Sequence, residues 1–241
     1  MSKGKILKYE MKRLIFSREF ILLLTALIVY CVLLVRNNVI FGTRYTAPFS
    51  QLTFCSYISS AAVLLFVLLL TLCSRQFSPS ENGAMVIINA SPIPAPVFKM
   101  LRYVAIAFAF LIAAALAVGI CFAFYVMIFG FTEFGGLIIS ALGIIIPSAL
   151  LLFGPAMLLG RKKPVMVYML LVVILIMGAF GLSLPSFIDL FGSLAIKSFS
   201  VVGQDFSFPI SFWIGRVILS VAGITLINIS LGFQTKKAIR N

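Results

Sequence analysis

Side chains that could carry out chemistry are scarce in this sequence. It contains no histidine, which excludes histidine-dependent metal sites and nucleophile–histidine pairs. The four cysteines, Cys31, Cys55, Cys73 and Cys121, all lie in apolar stretches and have neither metal-ligand spacing nor the placement of a disulfide framework. We interpret them as small buried hydrophobic side chains. The sequence therefore predicts no catalytic centre and no metal site, and we expect the chain not to be an enzyme.

Three serines, Ser56, Ser59 and Ser60, lie within one apolar stretch. Together with Thr53 they fall on roughly one face of a helix. Such hydroxyls can donate hydrogen bonds back to carbonyl groups of their own helix without any further role.

Two further polar side chains, Arg216 and Asn228, lie in the C-terminal apolar stretch. If a helix begins near Ile210, Arg216 lies about 10 Å along it. A charge at that depth is costly, so it either faces a partner or extends to the membrane surface. Asp189 and Asp205 in the preceding segment are the candidate partners. Asn228, about three turns further along, is expected to form a hydrogen bond between helices.

The composition indicates that membrane-spanning helices position these side chains. Of the 241 residues 62% are hydrophobic and 10% are charged, whereas soluble domains are about half apolar and about a quarter charged. Since each crossing takes about 20 apolar residues, we predict one all-α integral membrane domain over residues 1–241 with six transmembrane helices. The predicted spans are about 20–35, 52–73, 101–129, 137–159, 165–184 and 210–232.

Three regions of this pattern are irregular. The first span is short unless its helix continues past Arg36, with that side chain extending to the membrane surface. The fourth span is expected to be interrupted at Pro147 and Pro155. The segment 185–209 is too apolar for an ordinary loop and too broken for a span, which favours two short helices dipping into the outer membrane surface.

A stripe of small residues follows one face of the third span. Its members recur at every fourth position: Ala105, Ala109, Ala113, Ala117 and Cys121. Small side chains allow another helix backbone to approach closely. We therefore predict a tight helix contact within the chain along this face.

The N-terminal segment 3–19 combines basic residues with an apolar helical face. The basic residues include Lys5, Lys8, Lys12 and Arg13. This pattern predicts an amphipathic helix lying in the membrane interface. A basic stretch followed by an apolar one is also typical of a signal peptide, but no small-residue cleavage site follows, so we expect the helix to be retained.

The distribution of charge predicts the orientation of the spans. The net charge is +13, but the basic residues cluster between apolar stretches instead of forming a groove for nucleic acid. With the N-terminus inside, fifteen Lys and Arg lie in inner segments and three in outer segments. The positive-inside rule then predicts a multi-pass protein of the cell membrane with both termini in the cytoplasm.

The predicted cytoplasmic segment 74–99 has strong helix signals. Ser78 followed three residues later by Glu81 forms a capping box, and Pro79 occupies the first helical position. A short helix over 79–89 is predicted, ended by the prolines that begin at Pro92. From the residues alone, it either lies on the membrane or docks onto a partner.

This order of elements resembles the membrane subunits of type-2 ATP-binding-cassette exporters. The matching features are the interfacial helix, six spans, the broken segment before the last span, and Glu81-Asn82-Gly83 followed by Ser91-Pro92. The family's small hydroxylated residue after the glycine is Ala84 here. The resemblance implies that 79–89 is a coupling helix that inserts into a separate ATPase. Its contact residues would be Ser78, Glu81, Asn82, Gly83, Met85, Val86 and Ile87.

The resemblance also implies partners and a function. The chain has no Walker A sequence, so ATP and Mg²⁺ are expected on the partner ATPase and no cofactor on this chain. A second copy or a close relative is expected to complete the translocation path. In this family the second and fifth spans tend to line the interface between the two subunits, so the resemblance makes Ser56, Ser59 and Ser60 candidates for lining the path. The expected function is ATP-driven export, with an amphipathic peptide or a hydrophobic drug as candidate substrate. The alternative is a non-transporting membrane protein, such as an immunity factor against a bacteriocin.

Overall fold

A computed structural model of the chain describes residues 3–40, 47–78, 95–180, 189–193, 196 and 208–238. Within these ranges the regular elements are all helices. They are α1 (Lys3–Ile15), α2 (Arg18–Leu34, continued by a π-helical turn over Val35–Ile40), α3 (Gln51–Arg75), α4 (Ala95–Phe129), α5 (Gly135–Lys162), α6 (Val165–Phe180) and α7 (Ile210–Ala238). The predicted coupling helix and most of the predicted outer segment lie outside the described residues.

Five of the described helices are long and apolar enough to cross a membrane. They cover Arg18–Ile40, Gln51–Arg75, Val97–Phe129, Gly135–Lys162 and Ile210–Gly232. The chain is therefore a multi-pass α-helical membrane protein. Helix α6 is also apolar, but it is 16 residues long as described, so the sixth span stays a prediction.

The junction between the predicted interfacial helix and the predicted first span differs from the expectation. Helix α1 ends at Ile15 and not at residue 19, because Ser17 adopts an extended conformation and its Oγ accepts a hydrogen bond from the Phe20 amide. The first span accordingly begins at Arg18. The helical segment continues to Ile40 with Arg36 exposed, so it is longer than the predicted 20–35.

Helix α5 runs without a break through Pro147 and Pro155. The predicted interruption at these prolines is wrong. Membrane helices tolerate proline where neighbouring helices pack closely around them, and α5 contacts α3, α6 and α7. Before it, Gly130 has a φ of 61°, a conformation that favours glycine and lets the chain turn sharply between α4 and α5.

Helix α3 is the centre of the bundle. It contacts α2, α4, α5 and α6, and 72% of its most apolar window is buried, compared with 28% in the corresponding windows of the first and last spans. The surface of α4 that enters this core is the predicted stripe. Its five members are each 0% exposed, and the Tyr57 hydroxyl of α3 donates a 2.7 Å hydrogen bond to the Ala117 carbonyl. The predicted tight contact is confirmed.

The second close contact joins α5 and α7 through glycines. A Cβ atom on Gly223 would lie 2.5 Å from the carbonyl carbon of Leu150, and one on Gly154 would lie 2.7 Å from the Cβ of Leu226. Both separations are shorter than van der Waals contact. The absence of side chains at these two positions therefore sets the distance between the helices.

Helix α1 packs along α4 and also contacts α2. Its Ile6 and Leu14 are 5% and 6% exposed, whereas Lys5, Lys8 and Lys12 are exposed. The predicted amphipathic character is therefore present in the folded chain. The side chains of the apolar face are buried within the folded chain.

Candidate functional sites at the two ends of the helices

A buried ion-pair cluster connects α1 to α4. Glu10 and Arg102 are 3% and 4% exposed. The Glu10 carboxylate lies 2.8 Å from Nη2 of Arg13 and 3.6 Å from Nε of Arg102. The Arg102 guanidinium also lies 5.6 Å from the centre of the Phe98 ring. Removing one partner of such a buried pair leaves an uncompensated charge, so the cluster resists separation of the two helices.

This cluster lies beside the two ends of the segment that carries the predicted coupling helix. Arg75 is the last residue of α3, and α4 resumes the chain at Ala95. Arg75 approaches Glu19 of α2 at 3.8 Å. Of the helices that flank residues 79–94, α3 contacts α2, and α4 contacts both α1 and α2.

A second buried polar network lies near the start of α7. Arg216 is 4% exposed, and its Nη1 donates a 2.7 Å hydrogen bond to Oγ of Ser148 in α5. Ser148 Oγ in turn donates a 2.7 Å bond to the carbonyl of Leu190. The guanidinium also lies 4.4 Å from the centre of the Phe212 ring, an attractive cation–π distance.

Asp189 is a buried acid that acts electrostatically on Arg216. The residue is 5% exposed, and its negative charge favours the charged form of the Arg216 guanidinium. Its Oδ1 accepts a hydrogen bond from the Phe191 amide. Of the two interpretations of Arg216, the structure favours a paired side chain directed into the protein. Helix α7 begins at Ile210, so Arg216 lies about 9 Å along it.

Residues 189–193 are held in place by this network. Gly192 has a φ of 72°, and a Cβ atom there would lie 3.4 Å from Nη2 of Arg216. The turn thus brings the chain against the guanidinium in a conformation that favours glycine. The described part of the predicted outer segment is therefore tied to both α5 and α7.

Of the serines of the predicted path, Ser60 lies at the contact between α3 and the π-helical turn that continues α2. Ser59 is buried, and Ser56 and Ser60 are half-buried. Ser60 Oγ donates to the carbonyl of Ser56 and accepts a 3.2 Å bond from the side-chain amide of Asn38. Ser60 therefore bonds back to its own helix, and Asn38 connects it to the end of α2.

Asn228 is exposed on α7. Between it and the other described helices the structure shows no hydrogen bond, so the expected bond between helices is not formed within the described part of the chain. Nearby, Arg161 donates a 2.7 Å bond to the carbonyl of Ser230, which connects the end of α5 to α7. The described residues contain no group of three or more Cys, Asp or Glu side chains that could bind a metal ion.

Glu10 and Ser148 were not predicted as site residues. A signal for Glu10 was present, because it occupies the same helical face as Ile6 and Leu14, four residues to either side. An acid on an apolar face indicates a buried partner. Ser148 gave no comparable signal, since serine inside a membrane helix usually bonds to its own backbone.

The predicted coupling residues from Glu81 to Ile87 lie outside the described residues. Ser78 is described, and its amide donates a 3.1 Å hydrogen bond to the Arg75 carbonyl. No protein-family model matches this chain, and no curated protein or solved structure matches it either. The described helices establish a multi-pass membrane protein with a buried ion-pair cluster between α1 and α4 and a buried hydrogen-bonded network around Arg216.

Proposed function

We propose that the chain is the transmembrane subunit of an ATP-driven exporter, powered by a separate ATPase subunit. One observation carries this proposal. The buried Glu10–Arg102 pair ties the interfacial helix to α4 immediately after the segment that bears the capping-box sequence Ser78–Glu81. A helix that receives force from a partner needs a firm connection to the spans.

The connections around segment 79–94 support transmission of force. Helix α3 ends at Arg75 and is central to the bundle, while α4 begins at Ala95 and packs on α1, α2, α3 and α7. A push on the segment would act on both helices at once. In the proposed cycle the coupling residues, with Met85, Val86 and Ile87 as apolar anchors, fill a cleft of the ATPase.

The remaining parts of the proposal follow from the same scheme. Six spans with both termini in the cytoplasm would place the coupling helix on the side of the ATPase. A second copy or a close relative would complete the path, and nucleotide and Mg²⁺ would bind only to the ATPase. The exposed apolar surface of α2 and α7 suits an amphipathic peptide or hydrophobic drug that enters from the membrane.

The test is a change in the apolar anchors of segment 79–89. The double variant Val86→Asp and Ile87→Asp places two charges where a cleft of the partner would be apolar, and charge burial there is strongly unfavourable. We expect the full-length variant to insert normally but to lose co-purification with an ATPase from native membranes. The measurement is the ATPase activity that co-purifies with the variant, compared with that of the unmodified chain.

Ser78→Ala is the matched control, because it weakens the helix start by about 1 kcal/mol without adding charge to the anchors. It should reduce ATPase recovery only partly. If the double variant recovers as much ATPase activity as the unmodified chain, segment 79–89 is not the coupling helix. If the unmodified chain recovers no ATPase, the exporter proposal itself fails and the immunity-factor alternative is favoured.

A further inference from the structure

A small cavity between α1, α3 and α4 brings three arginines together. It is lined by Arg13, Arg75 and Arg102 together with Gln76, and its volume is about 10 Å³. That volume holds one water-sized atom. An anion that binds here can insert one oxygen while the rest of the molecule stays at the protein surface.

Arg75 has unused hydrogen-bonding capacity in this cavity. Its Nη1 atom is buried and has no hydrogen-bond partner among the described residues. Glu19 Oε2 lies 3.8 Å away, too far for a hydrogen bond, and the Glu19 side chain is 63% exposed. An exposed ion pair of this kind contributes little, whereas a buried N–H group gains from an added acceptor.

The floor of the cavity is apolar. Leu14, Leu72 and Ile106 line it, and each is at most 6% exposed. Guanidinium groups at the ends of apolar helices that can cross a membrane match the level at which a bilayer presents its phosphate groups. A phospholipid is held at this level by its acyl chains in the bilayer, whereas a free inorganic anion has no such anchor.

We propose that this cavity binds the phosphate group of an anionic phospholipid. A phosphate oxygen inserted beside Arg75 accepts from its Nη1, and guanidinium groups form strong charge-assisted bonds with phosphate. Arg13 and Arg102 add positive potential, while Glu10 holds both of them in place. The bound lipid would clamp α1 against α3 and α4 at the root of segment 79–94. This inference does not depend on the exporter proposal, because it uses only the described ends of three helices.

The test is lipid binding to the purified full-length chain in neutral detergent. Phosphatidylglycerol is titrated, with phosphatidylcholine and inorganic phosphate as separate arms, and the thermal unfolding midpoint gives the apparent affinity. We expect phosphatidylglycerol to raise the midpoint far more than either other probe. Arg75→Gln should weaken its binding about tenfold, the effect of one charge-assisted hydrogen bond.

Lys12→Gln is the matched control, since it removes the same charge from the exposed face of α1 and should change the affinity less than about twofold. Equal losses in both variants would mean unspecific attraction and would overturn the site. If inorganic phosphate stabilised the chain as much as phosphatidylglycerol does, the ligand would not be a lipid. If Arg75→Gln bound phosphatidylglycerol with unchanged affinity, both the site and its lipid ligand would be wrong. If Arg75→Gln does not fold, Arg75→Lys is used instead, because it keeps the positive charge but lacks the planar guanidinium group. The affinity of the Arg75→Lys chain for phosphatidylglycerol must then fall at least about threefold.

Discussion

At the scale of single residues, polar side chains that are far apart in the sequence are joined by hydrogen bonds and ion pairs in the structure. Arg216 lies 68 positions after Ser148 in the sequence, yet the two are joined by a 2.7 Å hydrogen bond. The Ser148 hydroxyl in turn donates a hydrogen bond to the Leu190 carbonyl. Every member of this network is buried. In a low-dielectric interior such bonds are strong, and their loss is correspondingly costly.

We predict that Ser148→Ala destabilises the chain by about 1–3 kcal/mol, because it leaves Arg216 Nη1 and the Leu190 carbonyl without the Ser148 hydroxyl. The thermal unfolding midpoint in detergent should fall. Ser211→Ala, at an exposed position of α7, is the control and should stay within about 0.5 kcal/mol. Equal midpoints for the two variants would show that the network contributes nothing to stability.

At the scale of the helices, small residues decide which faces meet. The stripe on α4 faces the interior, and α5 and α7 approach each other at Gly154 and Gly223. Leucine-rich faces do not indicate which helices pack together, because lipid is as apolar as a protein interior. The positions that lack a side chain are therefore the ones that specify helix pairs.

We predict that Gly223→Ala destabilises the chain by about 1–3 kcal/mol through overpacking, since its Cβ would meet the Leu150 backbone at 2.5 Å. Gly232→Ala on the same helix has no atom within 4 Å of the new Cβ and should be neutral or slightly stabilising. Unfolding midpoints of both variants check this. The contact between α5 and α7 would be wrong if Gly223→Ala behaved like Gly232→Ala.

At the scale of the whole molecule, the topology across the membrane is a prediction from the charge bias. Fifteen inner against three outer basic residues favour cytoplasmic termini. Single cysteines introduced at Lys3, Arg44, Lys162 and Ala238 should react differently with a membrane-impermeant reagent. The native cysteines are all buried, so their background reaction should be small.

We expect labelling from outside intact cells only at position 44, with positions 3, 162 and 238 labelled after the membrane is opened. The physical reason is the cost of moving clustered Lys and Arg across the bilayer. A cysteine-free variant is the control for background. External labelling at 162 or 238 would contradict six spans with both termini inside.

The sequence by itself determined the class of the protein and the approximate starts of three of its helices. The apolar stretches predicted α3, α5 and α7 to within a few residues at their starts, because a helix satisfies its own backbone hydrogen bonds in lipid. The stripe from Ala105 to Cys121 also predicted a buried face. Local chemistry was enough for these features.

Only the tertiary structure decided which polar groups pair. Glu10 pairs with Arg102, 92 positions later in the sequence, and Arg216 donates a hydrogen bond to Ser148 on another helix. These partners depend on which helix faces meet, and hydrophobic periodicity does not report this where both lipid and interior are apolar. The continuous helix through Pro147 and Pro155 was decided in the same way, by the neighbours that pack around it.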